Sequence, residues 1–320
     1  MSKTALIIND TSDAYHWGCF GTSSEIKNQL YERGYTVARF SVAQVYALKT
    51  APRSSDHITN DGFRRAFLAD NDGLEELIAK ADLVVINGEG TLHGPGQGAF
   101  NLLYLIYLSK KVFGKPVHAL NMSLFPHDSG EPNDKLDQLY QSVLLLVDTI
   151  VLREKYSFDI AQRLGLSAFL GFDCLPLYIE KMGIKPSASE PKTIVLGGGL
   201  GISPEFISSL VSALTGAFGA YRLRYVTGSS RHPAVDDLPL LEAAIGISPA
   251  VEHYVAESFN DWIDVINSTD CLVSGRFHHS IAAAFLGTPF VTFQAGTPKN
   301  DALLSMLGLP TPLSVVQDDS

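Results

Sequence analysis

The residues best suited to chemistry form one short run, Ser274-Gly275-Arg276-Phe277-His278-His279, at the end of a predicted buried strand. Arg276 carries a planar, permanently charged fork that matches a carboxylate or a phosphate. His278 would lie at a helix start, where the dipole disfavours the imidazolium until a bound anion favours it. His278 and His279 would point about 100° apart on a helix, so the pair predicts no metal site. We interpret Arg276 and His278 as catalytic residues that act on an anionic substrate.

Two further titratable residues follow the predicted strand 83–87, in the loop Gly88-Glu89-Gly90-Thr91-Leu92-His93-Gly94. Glu89 and His93 could exchange protons with a substrate, and the glycines would let a ligand approach the backbone. The spacing is not that of a dinucleotide-binding fingerprint. The alternative is structural, with Glu89 capping a turn and His93 packing on the surface.

Three further loops hold candidate binding residues. Asp10 and His16 follow the first predicted strand in a polar loop that suits a sugar or a phosphate, or that only forms a turn. Gly198 and Gly199 lie in a glycine-rich loop whose backbone N–H groups would form an anion site at a helix start, although close packing would explain the glycines too. The loop lacks the Lys-Ser/Thr ending of an ATPase phosphate loop. His127 follows another strand end, where it could bind substrate or be only an exposed loop histidine.

These loops follow predicted strands. Short β-branched runs alternate with helical patterns along the chain, which predicts parallel sheets covered by helices. Predicted strands are 4–8, 35–40, 83–87, 117–121, 149–153, 168–171, 193–196, 222–227, 271–273 and 290–293. Predicted helices are 24–33, 100–113, 134–146, 204–218, 260–267, 279–286 and 301–307. Ser24 is the expected N-cap of the first helix. Ligands of such sheets bind at the carboxyl ends of the strands, where the candidate residues lie.

The segment 181–192 is rich in proline, glycine and small polar residues, which predicts an interdomain linker. We therefore predict an α/β protein with two Rossmann-like domains, 1–182 and 190–320, facing each other across a cleft.

Composition narrows the class of protein. The 24 Lys and Arg residues against 34 Asp and Glu give a net charge of -10, which argues against nucleic acid as the main partner. Three distant cysteines without a CxxC pair favour a reducing compartment. The start of the chain resembles no signal peptide, and no apolar run reaches the ~18 residues of a membrane span. We predict a cytoplasmic protein and leave a homo-oligomer open.

Three segments resemble, in their order and spacing, the polysaccharide pyruvyl transferase family. Residues 81–92 are similar to its glycine-rich segment after a buried strand, 151–166 to its Arg-Glu-x-x-Ser segment, and 274–291 to its Ser-x-Arg-x-His segment. Asp173 and Lys299 also fit by position, and the resemblance runs from about Asn9 to Leu309.

The resemblance implies a fold similar to B-type glycosyltransferases, with an N-terminal acceptor side and a C-terminal donor side. It also implies transfer of a pyruvyl group from phosphoenolpyruvate to two hydroxyls of a saccharide acceptor, with no required metal or cofactor. Arg276 and His278 match donor-binding residues of the family. Arg153, which matches a further arginine of the family, and Lys299 could add the positive charge that the donor's carboxylate and phosphate need.

Proton transfer completes the predicted mechanism. His278 is our candidate general acid, and Glu89 or His127 our candidate base. Glu89 stands where the family usually has another glycine, and the loop 10–18 differs from its commoner start. Two alternatives therefore stay open: a glycosyltransferase that uses a nucleotide-linked keto-deoxy sugar acid, and a non-catalytic glycan-binding relative.

Overall fold

The computed structural model describes residues 3–13, 16–127, 134–187, 192–227, 237–294 and 296–313. The chain folds into two compact units, Met1–Asp13 with Thr22–Cys174 and Ala14–Gly21 with Leu175–Ser320. Helix Leu175–Lys181 therefore groups with the second unit, although the sequence-based boundary places it in the first. The predicted linker lies partly outside the described residues, and the division at 182 and 190 stays a prediction.

The first unit contains a parallel sheet in the order β2-β1-β3-β4-β5-β6. Its strands are β1 (Lys3–Asp10), β2 (Tyr35–Ser41), β3 (Leu83–Glu89), β4 (Val117–Met122), β5 (Thr149–Leu152) and β6 (Phe169–Leu170). Its helices are α1 (Trp17–Glu32, whose first five residues belong to the second unit), α2 (Val42–Ala47), α3 (Ser55–Ile58), α4 (Asp61–Asp70), α5 (Leu74–Lys80), α6 (Gln97–Tyr107), α7 (Asp134–Leu144) and α8 (Lys155–Arg163). A π-helical turn, Leu108–Val112, extends α6.

The central strands of this sheet are buried on both faces. In β1, Leu6 and Ile8 join one apolar cluster, while Ala5 and Ile7 pack in another with Ile26 of α1. Because alternate side chains of a strand point to opposite faces, a strand covered on both sides must be apolar throughout. This explains why the run at 83–87 shows no polar alternation.

The second unit repeats the plan with a parallel sheet in the order β11-β10-β7-β8-β9. Its strands are β7 (Thr193–Gly197), β8 (Arg222–Thr227), β9 (Glu252–Val255), β10 (Cys271–Ser274) and β11 (Phe290–Thr292). Its remaining helices are α9 (Leu175–Lys181), α10 (Pro204–Ala217), α11 (Asp237–Ile247), α12 (Phe259–Asn267), α13 (Phe277–Leu286) and α14 (Lys299–Leu307). The side chain of Ser203 caps α10 and that of Ser258 caps α12, as their positions predict.

Two parallel sheets with flanking helices confirm the predicted pair of Rossmann-like domains. Four predicted helix starts are at least two residues late: the first helix begins at Trp17 rather than after Ser24, α6 at Gln97 rather than at Phe100, α13 at Phe277 rather than at His279, and α14 at Lys299 rather than at Asp301. Within the part of the chain that the structure describes, no helix is both long and apolar enough to cross a membrane.

Candidate active site

Three neighbouring strands of the first unit carry a left-handed residue at or near their carboxyl ends. These residues are Asn9 in β1 (φ 66°), Glu89 in β3 (φ 43°) and Asn121 in β4 (φ 50°), and all are buried. Asparagine adopts this conformation readily, whereas a glutamate there is strained. Such strain persists only where the surrounding structure fixes it, and it clusters at functional sites.

Buried hydrogen bonds hold the Glu89 carboxylate. Its Oε1 accepts from Thr22 Oγ1 at 2.5 Å and from Thr11 Oγ1 at 3.2 Å, and Oε2 lies 2.7 Å from Arg153 Nη1. Arg153 Nη1 also donates to Asp173 Oδ2 at 2.9 Å. One guanidinium thus lies between two carboxylates, and all three residues are at most 4% exposed.

The other bonds of Arg153 fix its orientation. Its Nε donates to Ser123 Oγ at 2.9 Å, in the loop after β4. Burial first, and then the carboxylates of Asp173 and Glu89, raise the pKa of the neighbouring Cys174 thiol well above its usual range. The hydrogen-bond partners described for Arg153 are side chains of its own unit. Its role in donor binding stays a prediction.

The remaining candidates of the first unit have separate surroundings. Asp10 lies 2.6 Å from Arg39 Nε and also accepts from the Ser12 amide, so its carboxylate organises its own loop. His93 pairs with Phe125 through a backbone bridge and a ring contact of 5.9 Å, which joins the loops after β3 and β4.

His127 forms a pair with an acidic residue that the sequence did not suggest. Its Nε2 lies 2.8 Å from Asp137 Oδ1 of α7. Nδ1 is buried and accepts or donates no hydrogen bond within the described residues. A carboxylate that orients an imidazole is an arrangement suited to proton transfer.

In the second unit, the turn from β10 into α13 brings together the strongest candidates. Arg276 is the N-cap residue of α13, and its amide donates to Ser274 Oγ at 3.1 Å. Its Nη2 donates to Asp237 Oδ1, and its Nη1 lies 2.9 Å from His16 Nε2. The guanidinium is thus held from two sides.

The two histidines of the motif differ sharply. His278 is half-buried, and its Nδ1 lies 3.9 Å from Cys19 Sγ. His279 is buried, and its Nδ1 lies 2.9 Å from Ser274 Oγ. Burial, then the charges of Arg276 and His278, lowers the pKa of His279 to about 3. His279 is therefore neutral at ordinary pH and structural.

The glycine-rich loop supports this turn by close packing. The Gly275 amide donates to the Gly198 carbonyl at 3.0 Å, and a Cβ on Gly198 would lie 2.7 Å from Asp237 Oδ1. Gly199 is buried beside it. Gly198 is thus closely packed, as the structural alternative for this loop expects, and an anion-binding role of the loop stays a prediction.

Lys299 is the first residue of α14 and is half-buried. The next residue, Asn300, donates to the carbonyls of Gly275 and Phe293 at 2.9 and 3.1 Å. These bonds fix the start of α14 beside the turn that carries Arg276.

Sequence reasoning missed Asp237, Cys19 and Asp137 as functional candidates. Asp237 lies 39 residues from Arg276 along the chain and Cys19 lies 259 from His278. None belongs to a motif with a recognisable spacing, so no local signal marked them.

Comparison with known proteins finds one matching family model and many solved structures of similar fold. The sequence model of the polysaccharide pyruvyl transferase family matches residues 35–294. No curated protein matches the chain.

Solved structures share the fold at low identity. UDP-N-acetylglucosamine 2-epimerase from Rickettsia bellii has a TM-score of 0.53 at 11% identity, covering 94% of this chain and 82% of its own. A glycosyltransferase from Rickettsia africae has a TM-score of 0.55 at 14% identity, covering 96% and 87%. The S. aureus protein MnaA, solved with UDP, has a TM-score of 0.55 at 14% identity, covering 94% and 82%. These likenesses show the fold alone, and they confirm the predicted similarity to B-type glycosyltransferases.

Proposed function

The chain belongs to the polysaccharide pyruvyl transferase family, and we propose that it transfers a pyruvyl group from phosphoenolpyruvate to two hydroxyls of a saccharide, forming a cyclic ketal. The observation that carries the proposal is the turn after β10, where Arg276 and His278 lie together at a helix start. The acceptor that fits the family is a cell-surface polysaccharide or a glycan precursor.

Donor binding falls to the second unit. Phosphoenolpyruvate carries a carboxylate and a phosphate, and a guanidinium fork binds such groups in a bidentate manner. Arg276 supplies the fork and Lys299 a second cation. The N-terminus of α13 adds backbone N–H groups and a favourable dipole.

The reaction needs one acid and one base. His278 donates a proton to the methylene carbon, which becomes a methyl group and leaves positive charge on the adjacent carbon. One sugar hydroxyl attacks that carbon and loses its proton to the base. The bond to the phosphate oxygen then breaks and inorganic phosphate departs. The second hydroxyl attacks, loses its proton and closes the ketal.

The first unit offers the base and the acceptor side. Glu89 is strained and fixed by three hydrogen bonds, while His127 has the carboxylate of Asp137 behind it. Both remain candidates. The Asp137–His127 pair supports His127, because the carboxylate would stabilise the imidazolium that forms when the base accepts a proton.

A binding experiment separates the donor classes. We expect phosphoenolpyruvate to raise the melting temperature, since a ligand at 100 times its Kd stabilises by about 2.7 kcal/mol. A nucleotide-linked keto-deoxy sugar acid and its free nucleotide serve as competitors, and Arg276→Ala as the negative control. Stabilisation by the nucleotide compounds alone would favour the glycosyltransferase. Stabilisation by glycans alone would favour the non-catalytic relative.

A further inference from the structure

Three of four consecutive residues, 16–19, lie against the functional side chains of the β10–α13 turn, and the fourth anchors the segment. His16 meets Arg276, and Gly18 and Cys19 meet His278. These four residues, which we call the clasp, belong to the same compact unit as the turn. The indole Nε1 of Trp17 donates to the Ala256 carbonyl at 3.1 Å, and Trp17, 8% exposed, packs in an apolar cluster of that unit.

The bond between His16 and Arg276 has a defined polarity. A guanidinium only donates hydrogen bonds, so His16 Nε2, 2.9 Å from Nη1, must be the acceptor. An imidazolium has no acceptor nitrogen. His16 is therefore neutral in this arrangement, with its proton on Nδ1, and it fixes one arm of the fork while Asp237 fixes the other.

The contact with His278 is steric as well as polar. A Cβ on Gly18 would overlap the Cβ of His278, so only glycine lets α1 approach this closely. The next residue brings Cys19 Sγ within 3.9 Å of His278 Nδ1. Because this contact engages Nδ1, we assign proton delivery to Nε2.

We propose that the clasp positions the catalytic pair: His16 orients Arg276 for the donor anion, and Cys19 with Gly18 orients the ring of His278. The proposal rests on the proposed function for the roles of Arg276 and His278. Neither His16 nor Cys19 needs to touch the donor, so both are positioning residues.

Kinetics with phosphoenolpyruvate separates the two halves of the clasp. His16→Ala should raise the donor KM by about 10-fold to 100-fold, as expected for a lost hydrogen bond to a charged group. His16→Gln, whose Oε1 can accept near the Nε2 position, should restore most of the affinity. In an Arg276→Ala background, His16→Ala should add little, because the two residues act as one unit.

Cys19 should act on kcat instead. Cys19→Ala should lower kcat by about 2-fold to 10-fold, the size of one ordinary hydrogen bond, and Cys19→Ser should recover part of it. Cys271→Ser is the matched control, since the Cys271 thiol contacts only a backbone carbonyl among its described hydrogen bonds.

Gly18→Ala tests the steric contact against a matched glycine of the same helix. A Cβ on Gly21 would meet Leu175 at 2.8 Å and Phe259 at 3.0 Å, both apolar. Both variants should melt at lower temperature. Only Gly18→Ala should also change the pH profile of kcat.

Ring-nitrogen NMR tests the inference without any turnover. Long-range ¹H–¹⁵N spectra of histidine-labelled protein, assigned with His16→Gln and His278→Gln, should show His16 protonated on Nδ1 and not on Nε2. Arg276→Ala should release that preference, Cys19→Ala should shift the His278 signals, and the exposed-site control His253→Ala should do neither.

The two readouts distinguish two failures. If the spectra are as expected but phosphoenolpyruvate is not consumed, the proposed function is wrong and the clasp stands. If His16 carries its proton on Nε2, or if Arg276→Ala and Cys19→Ala leave the ring signals unchanged, the clasp is wrong whatever the reaction.

Discussion

Arg153 shows how a single residue can be fixed by its charge balance. Its guanidinium faces Glu89 and Asp173, at 2.7 and 2.9 Å, in surroundings with almost no exposed surface. Buried charges cost several kcal/mol each to desolvate, and pairing is what makes them tolerable. Removing the cation would take this partner from two buried carboxylates at once, whereas removing one carboxylate leaves the other ion pair in place.

We therefore expect Arg153→Ala to lower the free energy of unfolding by about 3–5 kcal/mol. Adding Glu89→Gln should recover part of the loss, because one buried negative charge disappears. Urea unfolding measures both, with the exposed Arg163→Ala as control. A double variant no more stable than Arg153→Ala would show that the charge balance is not the cause.

Unlike Arg153, Arg276 is the N-cap residue of a helix, where an anionic donor would also meet backbone N–H groups. Arg276→Lys keeps the charge but loses the bidentate fork, so the donor KM should rise strongly while the fold stays intact. Steady-state kinetics and circular dichroism test this, with Arg222→Lys as an exposed control. Near-normal kcat/KM for the donor in both Arg276→Lys and Arg276→Ala would show that Arg276 does not bind the donor anion.

His278 should matter for rate more than for binding. His278→Gln cannot deliver a proton, so we expect kcat to fall by about 10²–10⁴ with little change in donor affinity and loss of the acidic-side titration of kcat. His279→Gln should alter stability more than that titration, because its ring is buried against Ser274. A mild His278→Gln with a crippling His279→Gln would reverse the assignment.

At the scale of elements, the sequence predicted which residues lie at the carboxyl ends of the strands, but not which of their side chains pair with one another. Parallel sheets bring those ends to one edge, so Glu89 was a candidate from its place after a predicted strand, whereas Arg153 was a candidate through the family resemblance. That Arg153 would pair with Glu89 was not predictable, because a guanidinium suits a substrate anion and a protein carboxylate equally.

The tight contact between β7 and β10 gives an element-scale prediction. A Cβ on Gly197 would lie 2.5 Å from Ser274 Oγ and 2.6 Å from His279 Nδ1. Gly197→Ala should break the hydrogen bond between Ser274 and His279 and lower the melting temperature. Gly216→Ala, in α10 with open space around it, should instead stabilise by up to about 1 kcal/mol through helix propensity. Equal effects of the two variants would contradict this packing.

The prediction of helix boundaries failed where a local sequence signal competed with tertiary packing. Ser24 looked like an N-cap, yet it is buried inside α1, which begins at Trp17 because that indole packs in the core of the second unit. The sequence did not predict α2–α5, α8, α9, α11 or β9. A signal existed for α4, since Asn60 caps it by accepting from the Phe63 amide, but α4 is short and adjoins other short helices.

At the scale of the whole molecule, stability should depend on pH through His279. The folded protein lowers its pKa from 6.5 to about 3. Between these values the unfolded chain binds a proton that the folded chain does not, so the free energy of unfolding rises with pH in this window. Acidification should therefore destabilise the protein by up to about 1.4 kcal/mol per pH unit.

Urea unfolding of the wild type and His279→Gln from pH 7 to about pH 4 tests this. The variant should show a shallower slope, while His253→Gln, at an exposed site, should follow the wild type. Parallel slopes for all three proteins would mean that His279 does not carry the acid sensitivity.

The contacts that matter most span nearly the whole chain. His16 and Arg276 lie 260 residues apart, and both were singled out from the sequence as separate loop residues. Their meeting depends on which compact unit the start of α1 joins, a property of the folded chain that no local pattern encodes.

The most direct test of the proposed reaction is to trace the carbon and phosphorus atoms of the donor into the products by NMR. Phosphoenolpyruvate labelled with ¹³C at the methylene carbon is incubated in D₂O with hexosides that carry neighbouring hydroxyl pairs, and ¹³C and ³¹P NMR follow the products. The proposed reaction predicts a methyl group with one deuterium, joined to a quaternary ketal carbon, and one equivalent of inorganic phosphate, all lost in Arg276→Ala. Unchanged phosphoenolpyruvate beside release of a nucleotide from a nucleotide-linked sugar acid would contradict it.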